Sequence, residues 1–324
     1  MYAALPHELR AALEAMTEGR STRDLAERAQ AISATYRSGA PSSQIIRTEA
    51  DALAYALTRM PATYAAVRAA LEALAERAPD FAPETLTDVG CGPGTASWAA
   101  FDAFPDLTEA RLVDHSRPLL DLAIRLFDET SVAAKVASTL APLASAVLPP
   151  AAMVLAAYVL TELSEAIAVE ASQRLWTATE GVLVIVEPGT PAGWARLMAI
   201  RSMLIDMGGT VLAPCPHHEA CPVIAPDWCH FSQRLPRSRA HRLLKDADAP
   251  FEDEKYAYLV VARPGVAALP SRAARVLAPP LEDKAAVSLK LCETSGALEL
   301  RRIAKRDKES YRAIRRAGWG DLVE

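Results

Sequence analysis

The 324-residue sequence has few aromatic residues, no long hydrophobic run and no excess of basic charge. Its formal charge is -5, so a nucleic-acid-binding surface would have to be local. The strongest apolar runs, Met153–Leu160 and Val182–Val186, are far shorter than the roughly 20 residues of a membrane-spanning helix. The N-terminus also lacks the uninterrupted apolar stretch of a secretory signal. We therefore expect a cytoplasmic protein that makes no membrane contact.

Short apolar segments alternate with helical stretches through the middle of the chain, a pattern typical of an α/β protein with a parallel sheet. The predicted strands are Leu86–Val89, Arg111–Asp114, Ala151–Leu155 and Gly181–Val186, with His230–Arg234 and Lys255–Val261 as closing strands. The periodicity further predicts a helix over about residues 192–207 and an irregular loop over 213–228.

Helices are predicted on the N-terminal side of this core, over His7–Arg37 and Asp51–Arg77 with a break at Ser38–Pro41. A hairpin of Val287–Cys292 with Leu298–Ile303 and a basic helix over 308–317 are predicted on the C-terminal side. We accordingly expect a helical region over residues 1–80, a core over 81–263 with a cysteine-bearing insertion at about 208–230, and a basic extension over 264–324 after a linker at 264–280.

A glycine-rich loop follows the first predicted strand and precedes a helix. It contains Asp88, Gly90, Gly92 and Gly94, and Asp114 ends the next strand. Glycines allow close approach of a ligand to the backbone, and an acid at the second strand can accept both ribose hydroxyls. A dinucleotide site would have glycine where Thr95 stands.

The loop instead resembles motif I of the Rossmann-like S-adenosylmethionine (SAM) methyltransferases. The resemblance implies that Asp88 lies near the methionine end of SAM, that the glycines lie under the nucleoside and that Asp114 holds the ribose. An NAD site and a glycine-rich turn without a ligand remain alternatives. Calorimetry or a thermal shift with SAM and with NAD would separate them.

The chain lacks the Asn/Asp-Pro-Pro-aromatic motif of amino-methylating enzymes after the strand at 151–155. At that place Tyr158 could stack on a base and Glu162 could take a proton. Residues of these types are more often ordinary packing residues or helix N-terminal acids. They are weak catalytic candidates.

Four of the five cysteines follow the core motifs, at Cys215, Cys221, Cys229 and Cys292. In a reducing compartment a disulfide framework is not expected, and four thiolates suit an iron–sulfur cluster or structural zinc. The two-residue gaps of zinc knuckles are missing. Isolated buried thiols are the alternative without a metal.

Basic residues gather after the third cysteine and in the tail, as phosphate binding requires. The candidates for RNA binding are Arg234, Arg237, Arg239, Arg242, Arg301, Arg302, Lys305, Arg306, Arg312, Arg315 and Arg316, with Lys245 and Lys308 beside them. A metal joining Cys229 to Cys292 would tether the two basic segments into one surface. An ordinary solvated helix face is the alternative for the tail alone.

Several longer segments, spread over roughly residues 30–320, resemble the Rsm22 family of small-ribosomal-subunit assembly factors. They are Arg59–Val67, Val186–Gly193, Ala213–His217, Asp227–Arg234 and Phe251–Lys255. The resemblance implies a methyltransferase fold, a 4Fe-4S cluster on Cys215, Cys221, Cys229 and Cys292, and association with the small ribosomal subunit and its rRNA.

The leading hypothesis is therefore a monomeric SAM-dependent rRNA methyltransferase with an iron–sulfur-braced extension. The second is a non-catalytic assembly scaffold that keeps SAM as a structural ligand, and the missing acceptor motif favours it. The third is a small-molecule methyltransferase with structural zinc, against which the basic tail counts.

Overall fold

The computed structural model describes residues 4–37, 45–130, 132, 134–245, 248–267 and 273–324. The predicted break at Ser38–Pro41 lies outside the described residues, as do positions 268–272 of the predicted linker.

Most of the described helices lie in the N-terminal half of the chain. They are α1 (His7–Ala15), α2 (Thr22–Arg37), α3 (Glu49–Arg77), α4 (Thr95–Ala103), α5 (Arg117–Asp128), α6 (Glu165–Ala178), α7 (Pro191–Asp206), α8 (Arg239–Lys245) and α9 (Lys308–Ile314). A short 3₁₀ helix covers Leu160–Glu162. None of these described helices is long and apolar enough to cross a membrane.

The strands form two sheets. The larger contains β1 (Thr85–Val89), β2 (Glu109–Asp114), β3 (Lys135–Leu140), β4 (Ala151–Ala157), β5 (Thr179–Pro188), β6 (Thr210–Ala213), β7 (Phe231–Pro236) and β8 (Phe251–Ala262). The smaller contains β9 (Ala274–Val276), β10 (Leu281–Glu282), β11 (Ala286–Cys292), β12 (Leu298–Ala304) and β13 (Leu322–Val323).

The larger sheet has the strand order β3-β2-β1-β4-β5-β8-β6, and β7 also pairs with β8. Strands β1 to β5 are parallel, whereas β8 runs antiparallel to β5 and β6 antiparallel to β8. The central strand β5 is fully buried over Val182–Val186, as expected of a parallel strand covered on both faces. This arrangement confirms the predicted Rossmann-like α/β fold with an N-terminal helical region.

The local structure differs from the sequence-based prediction in the N-terminal helices and at the edge of the larger sheet. The helix expected over His7–Arg37 is divided into α1 and α2. Gly19, between them, has a left-handed φ of 75°, which ends the helical path. The hydroxyl of Ser21 then accepts a hydrogen bond from the backbone N–H of Asp24 at the start of α2. Strand β3 had not been predicted, because it is an edge strand that pairs with β2 while most of its side chains are exposed, so it lacks an apolar pattern.

The smaller sheet is centred on β11. The predicted hairpin is confirmed: β11 and β12 pair antiparallel from Ala286 opposite Ala304 to Cys292 opposite Leu298. Leu289 and Leu291 pack with Ile314 of α9 and Val323 of β13, so this sheet has a hydrophobic core of its own. The tail helix is therefore held by apolar contact and presents its charged residues outward.

Candidate functional site

A cavity of about 580 Å³ opens at the carboxyl ends of β1, β2 and β4, where ligands bind in open α/β sheets. Its lining includes Gly90, Gly92, Asp114, Tyr158 and Glu162. The structure thus brings together in one cavity five residues that the sequence analysis had singled out. Asp88 and Gly94 lie behind this lining.

The three glycines of the loop after β1 have left-handed φ angles, but their surroundings differ. A side chain at Gly90 would lie 2.3 Å from a methyl carbon of Val159, and one at Gly94 would lie 3.0 Å from the ring of Phe127. A side chain at Gly92 would meet no atom within 4 Å. Gly90 and Gly94 therefore serve close packing, whereas Gly92 leaves open space in the cavity wall.

Asp114 fixes this loop to the end of β2. Its carboxylate accepts hydrogen bonds from the backbone N–H of Gly92 and of Ser116, both at 2.8 Å. A carboxylate has about four acceptor positions, so about two remain for the hydroxyls of a ligand. Asp114 is 6% exposed at the cavity wall, which suits the ribose-binding role predicted for it.

Asp88 has a different setting from Asp114. It is fully buried beneath the loop, where Oδ2 accepts hydrogen bonds from the Ser97 backbone N–H at 3.0 Å and the Ser97 hydroxyl at 2.7 Å. Burial raises the pKa of Asp88 to about 7, although these two bonds act against the rise. Its Oδ1 has no hydrogen-bond partner among the described residues. Asp88 thus anchors the first turn of α4 from behind the cavity.

Tyr158, at the end of β4, is a non-glycine residue with a left-handed φ of 60°. Its backbone N–H donates to Val186 and its hydroxyl donates to Glu254 at 2.9 Å. Glu254 also lies 3.6 Å from the guanidinium of Arg59 on α3. Strained backbone of this kind persists where the surroundings enforce it, commonly at functional sites.

The N-terminal helices form the outer wall of the cavity, a role that the sequence analysis had not predicted. Ile32 and Ser33 of α2, Tyr55 and Thr58 of α3, and Leu244 of α8 contribute to the lining. These residues carry no recognisable motif at helical spacing, so nothing in the sequence marked them as part of a site.

Glu252 lies at the centre of a charged cluster beside this wall. It forms ion pairs with Arg237 at 3.1 Å and Lys245 at 2.7 Å, and the ring of His241 is 3.5 Å away. Burial lowers the pKa of His241 to about 4, so Arg237 and Lys245 supply the positive charge near neutral pH. The cluster holds α8 against β8.

The four predicted cysteines line one small apolar pocket together with Trp194. Cys215 follows β6, Cys221 lies in the irregular loop, Cys229 precedes β7 and Cys292 ends β11. The described residues contain no group of three or more Cys, His, Asp and Glu side chains arranged to hold a single metal ion. The pocket therefore gathers the thiols around shared space without the convergence of a single-ion site.

Two contacts define the surroundings of this pocket. The Nε2 atom of His217 lies 3.2 Å from the sulfur of Cys292. The indole N–H of Trp228 donates to the carbonyl of Gly189 at 3.0 Å, which fixes the chain just before Cys229 to the end of β5. The cysteine loop is thus anchored to both sheets.

The predicted RNA-binding residues fall into two groups. Five of them form ion pairs with carboxylates: Arg234 with Asp253, Arg237 with Glu252, Arg301 with Glu293 and Glu299, Arg302 with Asp283, and Lys305 with Glu282. The exposed cations Arg306, Lys308, Arg312, Arg315 and Arg316 form no ion pair with a described residue, and the same is true of Arg242. The side chain of Arg239 lies outside the described part of the chain.

The sequence from residue 49 to 324 matches the model of a protein family described as "Mitochondrial small ribosomal subunit Rsm22". The chain belongs to the Rsm22 family. This Rsm22-family protein is also 31% identical, over 295 residues, to the human "Ribosome assembly protein METTL17, mitochondrial". That alignment covers 85% of this chain and 63% of the human protein, so the chain spans less than two thirds of its relative.

Solved structures with a similar fold include two methyltransferases crystallised with SAM. Human N-acetylserotonin methyltransferase has a TM-score of 0.44 and 12% identity, with coverage of 76% of this chain and 68% of that one. Magnesium protoporphyrin IX methyltransferase from Synechocystis PCC 6803 has a TM-score of 0.40 and 14% identity, with coverage of 60% and 76%.

Proposed function

We propose that this Rsm22-family protein is a ribosome assembly factor that binds SAM in the cavity, holds a 4Fe-4S cluster on its four clustered cysteines and binds small-subunit rRNA through its basic tail. The observation that carries the proposal is family membership over residues 49–324, combined with an assembly role in the name of the human relative. Each of the three binding functions has separate support in the structure.

The cavity supports SAM. Its volume of about 580 Å³ lies within the usual range of about 300–1,000 Å³ for small-ligand sites. Gly92 leaves room for a ligand against the backbone, and Asp114 offers acceptor positions at the end of β2. SAM, once bound, supplies an activated methyl group, while the residues of this chain bind and orient it.

The chemistry of the cysteine pocket supports the cluster. Four soft sulfur donors from four separate segments suit iron–sulfur or zinc rather than a hard cation. Cys215, Cys221, Cys229 and Cys292 would be the residues that hold the cluster, since all four line the same pocket.

The unpaired cations support RNA binding by the tail. Arg306, Lys308, Arg312, Arg315 and Arg316 are exposed within eleven positions, on and beside α9, and none is neutralised by a described carboxylate. Phosphate contacts release counterions and make affinity strongly salt-dependent. The paired residues Arg301, Arg302 and Lys305 would first have to exchange their protein partners for phosphate.

Methyl transfer to rRNA is a second candidate function, and the conformation of Tyr158 favours it. The residue occupies a strained backbone position at the cavity, and its ring is held through the hydroxyl by Glu254. A ring fixed in this way can stack on an extruded base. Glu162 also belongs to the lining, and its carboxylate would receive the proton that a methylated nitrogen loses.

The decisive experiment is a ribosome profile and a complete map of rRNA methylation in a strain that lacks the protein. A small-subunit defect with every methyl mark intact supports the assembly scaffold. A lost mark that returns with wild-type protein but not with Glu162→Gln supports the enzyme. A normal small-subunit profile would overturn the assembly role.

A further inference from the structure

Two arginines, Arg201 of α7 and Arg275 of β9, are 3% and 2% exposed and have no carboxylate within 4.0 Å among the described residues. They are bound to backbone carbonyls instead. Arg201 donates to His217 at 2.7 Å, while Arg275 donates to Pro214 at 3.0 Å and to Gly320 at 2.6 Å. The Nε of Arg201 has no hydrogen-bond partner in the described structure.

Such buried cations are unusual. A guanidinium remains protonated at any physiological pH, so it cannot escape the cost of burial by losing its proton. Carbonyl oxygens satisfy its N–H groups but do not neutralise its charge, and buried charges are normally paired. Two positive charges in one buried region therefore indicate an anionic group that belongs between them.

Both arginines adjoin the cysteine pocket. Arg275 is directly opposite Cys292 in the β9–β11 pairing, which places both side chains on the same face of the sheet. The carbonyls that these arginines bind belong to Pro214 and His217, on either side of Cys215. Arg201 is also near enough to Cys215 to interact electrostatically with its thiol.

Local carboxylates do not account for these charges. Glu293, the residue after Cys292, forms an ion pair with Arg301 on the surface of the hairpin. The carboxylate of Asp227 is engaged by Lys290. No described carboxylate lies within 4.0 Å of either guanidinium, so these buried charges have no direct ion pair.

We propose that Arg201 and Arg275 are the buried counter-charges that retain a negatively charged tetrathiolate metal centre in the cysteine pocket. The inference rests on the proposed metal function. Four thiolates carry four negative charges, and either a 4Fe-4S core or a zinc ion leaves a net negative centre. Donors and charges around the ligands set the reduction potential and metal affinity of such sites. The arginines are positioning residues that hold the thiolates and act on the metal through them.

The test compares Arg201→Met and Arg275→Met, which remove the charge but keep an unbranched stem, with Arg201→Lys and Arg275→Lys, which retain it. Arg263→Met is the matched control. Arg263 also donates to two carbonyls, of Thr179 and Trp176, but it stacks on the Trp176 ring and lies outside the cysteine pocket. Each full-length protein is loaded anaerobically with iron and sulfide in one arm and with zinc in the other.

The readouts are the rate of metal loss to a chelator, the reduction potential of the iron-loaded protein and the stability of loaded and metal-free protein in urea. The Met variants are expected to lose metal at least tenfold faster and to have a lower reduction potential. The Lys variants and Arg263→Met should remain near wild type. The loaded form should be destabilised more than the metal-free form, since only the loaded form contains the anion.

Faster loss in both arms supports a general counter-charge role, and faster loss in one arm supports the role for that metal. The inference would be overturned if metal retention and reduction potential were unchanged and the loaded and metal-free forms were destabilised equally. The arginines would then only support the conformation of the loop. Wild-type protein that holds neither metal would overturn the metal site itself, and with it this inference.

Discussion

Alanine substitution should reduce stability more at Gly90 than at Gly92, whereas the substitution at Gly92 should impair ligand binding. The two glycines are two positions apart and have similar left-handed φ angles of 67° and 55°. Only Gly90 faces protein atoms, because its added methyl would lie 2.3 Å from Cγ2 of Val159. The added methyl at Gly92 would meet no protein atom within 4 Å, and Gly92 lines the cavity.

The expected magnitudes follow from these contacts. The left-handed conformation costs an alanine about 1–2 kcal/mol at either position, and a lower entropy of the unfolded chain returns about 0.4–1 kcal/mol. At Gly90 the clash adds about 1–3 kcal/mol of overpacking. Gly90→Ala should therefore lower the free energy of unfolding by about 2–4 kcal/mol, and Gly92→Ala by about 1 kcal/mol.

Urea denaturation with and without SAM measures both effects. At a hundredfold excess over its Kd, a ligand stabilises a native protein by about 2.7 kcal/mol, and Gly92→Ala should lose most of this increment. The swap Gly90→Ala/Val159→Gly removes the clashing atoms, so the double-mutant cycle should show a favourable coupling of about 1–3 kcal/mol. Equal costs at both glycines, or no coupling to Val159, would refute the steric account. SAM stabilisation of Gly92→Ala equal to wild type would refute the placement of SAM.

Three further outcomes are expected. The pKa of Asp88 in the folded protein, about 7, exceeds its unfolded value, so the stability of the wild-type protein should fall between pH 4 and 7. Asp88→Asn keeps an oxygen that can accept from Ser97 but removes the titrating carboxylate, so the stability of the variant should lack this part of the fall. Urea titrations over this pH range measure the difference. Asp114→Asn should weaken SAM binding at least about tenfold by calorimetry, since it removes a charged acceptor. Arg315→Gln should lower rRNA affinity and reduce the slope of log affinity against log salt by about 0.7–0.9, whereas Arg302→Gln, whose arginine is paired with Asp283, should change the slope less.

Sequence patterns predicted the parts of the site that depend on backbone geometry. A glycine after a buried strand and an acid at the end of the next strand meet at one sheet edge in any parallel α/β fold, so Gly92 and Asp114 could be placed together from spacing alone. For residues on antiparallel strands or on helices, sequence spacing does not predict which side chains will meet. Glu254 and Arg59 meet Tyr158 only through the packing of β8 and α3, which spacing does not encode.

The prediction of charge had a similar limit. The eleven cations predicted as one group differ in the structure, because five of them are neutralised by carboxylates that are 2 to 23 positions away, most of them brought close by strand pairing. Arg302, for example, pairs with Asp283 because β10 and β12 flank the same strand. The buried Arg201 and Arg275 had not been identified, because a lone arginine in an apolar segment does not reveal that it lacks a counter-ion.

Strand β8 connects the cavity to the cysteine pocket. It runs antiparallel to β5, so it begins at the edge where the parallel strands end, and its first half places Glu252 and Glu254 at the cavity. The same strand then continues past the cysteine pocket, where Tyr258 joins the lining. Since β7 pairs with β8 and starts two residues after Cys229, the cysteine loop leads directly into the strand that is paired with β8. A metal bound at the cysteines would therefore restrain β7 and, through it, the half of β8 that lies at the cavity.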